Sequence, residues 1–437
     1  MSRNRVVMRY WCVVALILGV YGIDVPLLGQ TNVPPQPSPN ESSRRRPGQS
    51  YQEAMRPLDI VRNSLDNWSD AELSALAAGM HEAKEACSQA EPEDYSGDDL
   101  YDLERLCALG QDWSATNLAA ARYLAGGSEM HRAHSYAMSI DALIHIDDIA
   151  HAVKTARDML HELPYDPVVA QSFWYLTTYL ERSFDKQALE LASEQQASLI
   201  TALSKGGPLK DTHGEAAMSI GTLYEIGLHL AFLQRYAGKE HDAEYTIHQL
   251  KAALSGLTSI DSESQKIIDS GNTRYSLLGK HLPSVNVSRS FLSVAAKARF
   301  NRDLGSSTVL LMFPDSCGQC RRMLKTLNAF NANEAEARIH AYGLITETQP
   351  DAPSEPSREA RLKDLEGTPT LIVPSASSDA FGAKDFPFAV VTDQSGRVQY
   401  IGVIPTNAFD RDSYMHHIVQ RISNASSSTA KQPISEQ

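Results

Sequence analysis

Apolar residues recur at helical spacing from Tyr51 to Ser276, with Ala, Leu, Glu, Gln and Lys between them and no sustained strand alternation. The pattern predicts an all-α region over 51–276. Asp166-Pro167, Gly206-Gly207-Pro208 and Gly271-Asn272 are its expected breaks, because glycine and proline interrupt regular structure. Ala71 to Ala86 and Asp98 to Leu109 read as two helices separated by the breaker-rich run Glu91 to Gly97. After Leu277 short runs of Val, Ile and Phe alternate with helical segments, an α/β signal over 277–423. Phe388 to Thr392 and Arg397 to Val403 alternate as a hairpin closed at Gly396.

Three stretches of the helical region share a polar turn followed by a small residue. They are Ile146-Asp147-Asp148-Ile149-Ala150, Phe184-Asp185-Lys186-Gln187-Ala188 and Gly238-Lys239-Glu240-His241-Asp242-Ala243. A small side chain there lets the second helix of a pair cross close to the first. The arrangement resembles tetratricopeptide-type helix pairs, whose period is about 34 residues. The turns, the alanines and Pro164 match, whereas Leu176 and Ala231 stand where that family has a glycine. An irregular all-helical domain is the other reading. Either one offers a surface for binding a protein. Histidines such as His131 and His134, or His241 and His248, share a helix face without a carboxylate at ligand spacing, so they read as surface or capping groups.

The two ends read differently. Arg3, Arg5 and Arg9 precede an apolar stretch from Trp11 to Ile23, which is shorter than the ~20 residues of a spanning helix. Residues 1–30 therefore read as an export signal, either cleaved or kept as an anchor. Residues 31–50, rich in Pro, Ser, Asn and Arg, read as a disordered linker, and 424–437 as a disordered tail.

Cys317 and Cys320 follow the apolar run Val309 to Phe313 and open the helical segment Arg321 to Leu327. Strand, Cys-Gly-Gln-Cys, helix is the order of a reversible dithiol. A thiol in the first turn of a helix faces unpaired N–H groups and a partial positive charge, which favour the thiolate. Cys317 is the candidate nucleophile. Cys320, one turn further in, is the candidate resolving thiol, attacking the mixed disulfide that Cys317 forms. A zinc site would need two more ligands, and no second Cys-x-x-Cys or His-Glu-x-x-His run exists. As a purely structural bridge the pair would close too short a loop to stabilise much. Cys87 and Cys107 lie on the two helices flanking the Glu91 to Gly97 run, and form either a structural disulfide or two buried free thiols.

Leu278-Gly279-Lys280-His281-Leu282-Pro283-Ser284-Val285, Cys317-Gly318-Gln319-Cys320, Phe381-Gly382-Ala383-Lys384-Asp385-Phe386-Pro387 and Val390-Val391-Thr392-Asp393-Gln394-Ser395-Gly396-Arg397-Val398 occur in that order. Together they resemble the TlpA-like (ResA-like) branch of thioredoxin-fold thiol-disulfide oxidoreductases, over about a third of the chain. The resemblance implies a thioredoxin-like domain over 277–423, so the fold class expected is multi-domain, an all-α helical (repeat-like) domain followed by an α/β thioredoxin-like domain. It also implies a cis-proline at Pro387, preferred over Pro369 in Gly367-Thr368-Pro369-Thr370. Phe386 would then offer its backbone N–H and carbonyl to an incoming chain, with Gly318 and Gln319 completing the substrate-binding set. Several family features are missing. Ser316 and Gln319 replace the usual tryptophan and proline, and Leu311 and Met323 stand where relatives place a buried acid. Arg321 and Arg322 adjoin the site and either favour the thiolate or an acidic partner, or form a solvated helix face.

A formal net charge of −13 argues against nucleic acid or an anionic membrane surface as partner. No glycine-rich phosphate loop follows a strand, so no nucleotide, flavin or metal cofactor is implied. The function expected is an exported thiol-disulfide oxidoreductase acting on protein thiols and disulfides, periplasmic or extracellular, and a reductase there would need a membrane-borne electron donor. The alternative is a helical scaffold whose thioredoxin-like domain has little or no catalytic activity. A peroxidase fits less well, since Asp315 and Ser316 do not supply the expected Thr-x-x-Cys.

Overall fold

The computed structural model describes residues 45–64, 70–126, 129–181, 185–205, 209–210, 216–291, 300, 303, 307–314, 317–333, 340–346, 363–365, 368–404 and 414–422. The export signal, most of the linker, the expected break at Gly206-Gly207-Pro208 and the C-terminal tail lie outside them. The chain divides into two compact units, Met1–Leu176 with Leu209–Ala217, and Thr177–Pro208 with Met218–Gln437.

The first unit is built from α1 (Pro47–Ser64), α2 (Asp70–Ser88), α3 (Asp98–Leu109), α4 (Trp113–Ala125), α5 (Arg132–His145), α6 (Ile149–Glu162) and most of α7 (Pro167–Glu181). α1 begins inside the stretch read as linker to Ser50. Proline in a first helical turn forfeits no hydrogen bond, and Ser50 and Tyr51 are already buried, so the chain orders there. Cys87 and Cys107 are joined by a disulfide with an S–S distance of 2.06 Å. It lies in a core with Tyr51, Ala54 and Leu58 of α1 and Leu103 and Leu106 of α3.

α3 and α5 end in the same way. Gln111 and Asp147 take positive φ, of 59° and 61°. Asp112 N–H then reaches the Cys107 carbonyl at 2.9 Å, and Asp148 N–H the Leu143 carbonyl at 2.8 Å. These are Schellman turns, which satisfy the last helical carbonyls. Asp112 and Asp148 go on to cap α4 and α6 by accepting from Ala115 N–H and His151 N–H. The small residue expected at Ala150 is displaced. Ala150 is exposed, and the first buried alanine of α6 is Ala152, four residues after the cap, because one full turn is needed to bring a side chain round to the packed face. Most of α5 is buried, and three of its buried polar residues are paired: Ser135 donates to Glu104 at 2.7 Å, Ser139 to Asn117 at 2.7 Å, and Asp141 accepts from Tyr175 at 2.7 Å.

Two short strands, β1 (Leu209–Lys210) and β2 (Ala216–Met218), pair where the sequence reads as helical; they are too short to show a period of two.

The second unit contains α8 (Asp185–Ser204), α9 (Ile220–Tyr236), α10 (Glu240–Ser255) and α11 (Ser262–Leu277), followed by a mixed sheet. Ala188 and Ala243, the other two small residues of the turn pattern, are fully buried. The expected break at Gly271-Asn272 does not occur; α11 runs through it, starting from an Asp261 side chain that accepts from Glu263 and Ser264 N–H. The sheet holds β3 (Arg289–Phe291), β4 (Thr308–Pro314), β5 (His340–Thr346), β6 (Thr370–Val373), β7 (Phe388–Thr392) and β8 (Val398–Val403) in the order β3-β6-β5-β4-β7-β8. α12 (Gly318–Asn333) connects β4 to β5, which are parallel; β7 and β8 are antiparallel, and a helix, α14 (414–422), comes after them. A short helix, α13 (Ser375–Ala380), precedes β7. The strand before the dithiol, the helix after it and the hairpin of β7 and β8 fall where the sequence pattern of the α/β part places them. Gly396, at φ +75°, closes the hairpin, its N–H donating to the Asp393 carbonyl.

Val309, Leu311 and Phe313 of β4 join Met323, Leu324 and Leu327 of α12 and Met415, Ile418 and Val419 of α14 in one core. This is the outcome of period-two alternation in the strand meeting helical periodicity on both helices.

Candidate functional site

The dithiol sits where β4 ends and α12 begins. Every β4 residue from Thr308 to Phe313 is buried, so the strand is a fixed base for the two cysteines. Cys317 N–H donates to the Pro314 carbonyl at 3.0 Å, and Arg321 N–H donates to the Cys317 carbonyl at 3.3 Å. Cys317 is therefore the residue from which the helical ladder starts. Gly343 on β5 lets α12 lie close to the sheet, since a Cβ there would fall 2.5 Å from Leu324 Cδ2.

Cys317 and Cys320 are bonded to each other, with Cα atoms 5.3 Å apart. The two sulfurs are not equivalent. Cys320 is fully buried in the core, whereas Cys317 is half-buried at its margin. An incoming thiolate can reach only Cys317, with Cys320 as leaving group. The Cys320 N–H points at Cys317 Sγ from 3.2 Å. On reduction that donor and the helix N-terminus would stabilise a thiolate at Cys317, the charge distribution a nucleophile requires.

The Phe386–Pro387 peptide bond is cis, and no other cis bond occurs among the described residues; Pro369 instead offers its carbonyl to Gly343 N–H at 2.9 Å. Pro387 is buried and Phe386 half-buried. Phe388 lies opposite Met312 of β4, so Pro387 is at the same end of the sheet as the dithiol. Ile404 N–H donates to the Pro387 carbonyl at 2.8 Å, fixing the start of β7 from the far side. Gly318 and Gln319 form the first turn of α12 between the cysteines.

Leu311 and Met323 are packed into the core beside the cysteines. Arg322 is exposed and Arg321 half-buried. Among the described residues no group of three or more His, Cys, Asp or Glu could hold a metal ion, and no helix is long and apolar enough to cross a membrane.

The Phe381–Pro387 stretch also receives contacts from far along the chain that the sequence pattern does not indicate. Ser270 and Arg274 of α11 both donate to the Gly382 carbonyl. Their separation from it by more than a hundred residues leaves no local pattern to read.

No protein-family model matches the chain, and no curated protein matches it. Among solved structures it is similar to the thioredoxin domain of a thiol-disulfide oxidoreductase from Bacteroides vulgatus, at 15% identity and a TM-score of 0.23, covering 32% of this chain and 99% of that one. It is also similar to a thiol:disulfide interchange protein from Bacteroides sp., at 16% identity and a TM-score of 0.22, covering 32% of this chain and 91% of the other.

Proposed function

We propose that this protein exchanges thiols and disulfides with protein partners through Cys317 and Cys320. The observation that carries the reading is the asymmetry of the pair: a half-buried sulfur at a helix start, with the N–H of its fully buried partner 3.2 Å away. In the reducing direction the Cys317 thiolate attacks a client disulfide, forming a mixed disulfide and releasing one client thiolate. Cys320, as thiolate, then attacks Cys317 Sγ, releasing the second client thiolate and closing the Cys317–Cys320 bond. Two electrons pass to the client, and the reverse sequence oxidises a client dithiol. The backbone of Phe386 beside Pro387, with Gly318 and Gln319, would dock the client chain as an added strand.

Export through residues 1–30 belongs to the same proposal. It would place the dithiol in a periplasmic or extracellular compartment, with a membrane-borne donor supplying electrons to a reductase and the helical region binding a protein. A second reading, a helical scaffold with little redox turnover, is favoured by the apolar Leu311 and Met323, which stand where relatives place a buried acid.

Redox titration of the purified protein separates the two. Cys317 and Cys320 are followed by mass-tagging in dithiothreitol or glutathione buffers, and insulin serves as client. A reversible two-electron midpoint, with turnover lost in Cys317→Ser, is expected. A pair that titrates without turnover, or never titrates, leaves the scaffold.

A further inference from the structure

The turn that leads into β7 is held by the helices before the sheet. The Gly382 carbonyl accepts from Ser270 Oγ at 2.5 Å and from Arg274 Nη1 at 2.8 Å, both on α11. Arg274 Nη1 also donates to Ser270 Oγ at 3.1 Å, and its second terminal nitrogen pairs with Glu225 on α9. Ser270 and Arg274 are each only 5% exposed. A guanidinium removed from water this completely persists only when its donors are satisfied, so the network is specific in geometry. Gly382 has φ +64°, and a Cβ there would fall 2.4 Å from the Ser270 carbonyl oxygen. Only glycine allows the turn to come this close.

The C-terminal end of α11 is fixed as well. Gly279 N–H donates to the Val398 carbonyl at 2.8 Å, and Val398 N–H donates to the Lys280 carbonyl at 2.8 Å. α11 therefore grips the α/β part at two places, the edge of β8 and the turn at Gly382. From Gly382 the chain passes exposed Lys384 and Asp385 to Phe386 and Pro387, and then to Phe388 opposite Met312, at the dithiol end of β4.

We propose that Arg274, braced by Glu225, is a positioning residue: it fixes the turn from Gly382 to Pro387 beside Cys317, so that α11 sets how firmly a protein client is held. The inference rests on the exchange reaction proposed above. Arg274 touches neither cysteine nor client. Its loss should loosen client docking while leaving the intrinsic reactivity of the disulfide largely in place.

The test compares wild type, Arg274→Met, Arg274→Lys and Ser270→Ala in the full-length protein. Insulin is the client and dithiothreitol the reductant, and circular dichroism confirms the fold of each variant. KM and kcat for insulin are measured beside the rate at which dithiothreitol alone reduces Cys317–Cys320. Arg274→Met is expected to raise KM roughly tenfold or more, the scale of one lost hydrogen bond to a charged donor, with far smaller changes in kcat and in the dithiothreitol rate. Arg274→Lys, which keeps the charge and one contact, should recover most of the loss. Ser270→Ala should shift KM in the same direction by less, and it carries the test if Arg274→Met does not fold. Unchanged KM in folded variants overturns the inference and leaves the exchange reaction standing. So does a parallel loss of kcat and dithiothreitol reactivity, which marks a general structural role. Wild type that never turns over insulin removes the reaction and the inference together.

Discussion

Gly221 of α9 packs so closely on Ser264 of α11 that a methyl group at Gly221 would lie 2.7 Å from Ser264 Cα and 2.9 Å from its carbonyl oxygen. Those are backbone atoms, which cannot turn aside. Helix propensity alone favours alanine over glycine by roughly 1 kcal/mol, whereas forcing two helices apart costs roughly 1–3 kcal/mol. Gly221→Ala is thus expected to destabilise the protein, seen as a lower urea midpoint. A higher midpoint would mean that propensity, not packing, decides this position.

The Cys87–Cys107 disulfide spans 20 residues between two helices of the first unit. Closing a loop of that size restricts the unfolded chain by roughly 3 kcal/mol. The double variant Cys87→Ala/Cys107→Ala should lose stability on that scale in denaturant unfolding, while the Cys317–Cys320 midpoint stays where it was. An unaltered unfolding curve would show that the bond contributes nothing to stability.

A buried and a half-buried titrating group in the first unit, Asp141 and His145, pull in opposite directions. Burial pushes the Asp141 carboxyl up to about 6, against the hydrogen bond it accepts from Tyr175, and burial holds His145 down to about 4. His145 Nε2 lies 3.8 Å from Asp141 Oδ1, beyond hydrogen-bonding range, and its ring stacks on Trp113 at 3.8 Å. For Asp141 the folded state holds a proton that the unfolded chain has released above 3.8, so its contribution is present at low pH and lost as pH rises through about 6. For His145 the unfolded chain takes up a proton below 6.5 that the folded state refuses, so its contribution is lost as pH falls toward about 4. The stability of wild type relative to Asp141→Asn should fall between pH 4 and 6, and relative to His145→Gln it should rise over the same span. Unfolding titrations in which either difference is flat would refute the corresponding assignment.

Much of this architecture is legible in the sequence wherever the signal is local. α3 spans Asp98–Leu109 as its apolar spacing and the preceding Gly97 indicate, and β7 spans Phe388–Thr392 as its alternation does. Cys317 and Cys320 fall at a strand end and a helix start for the same reason. Contact is what overrides local cues. Gly271 looks like a break, yet it lies within α11, because a Cβ there would meet Leu228 Cδ2 at 2.7 Å and its absence lets α9 pack against it. Pro47 looks like linker, yet it starts a helix whose Gly48 sits where a Cβ would strike Asp102. The donors to Gly382 are likewise invisible to any pattern of short range.

The double grip of α11 bears on how such a chain can be taken apart or recombined. A cut at Leu277, where the helical texture gives way to strands, would leave the Gly382 carbonyl without either donor. It would also deprive the outer strand β8 of the Arg274-bearing helix that leads Gly279 and Lys280 to its rim. An outer strand stripped of its cover is open to pairing with another chain. The segment that can be grafted intact onto another protein therefore takes in Thr177–Pro208 as well as the chain from Met218 onward, and carries α8 to α11 along with the sheet.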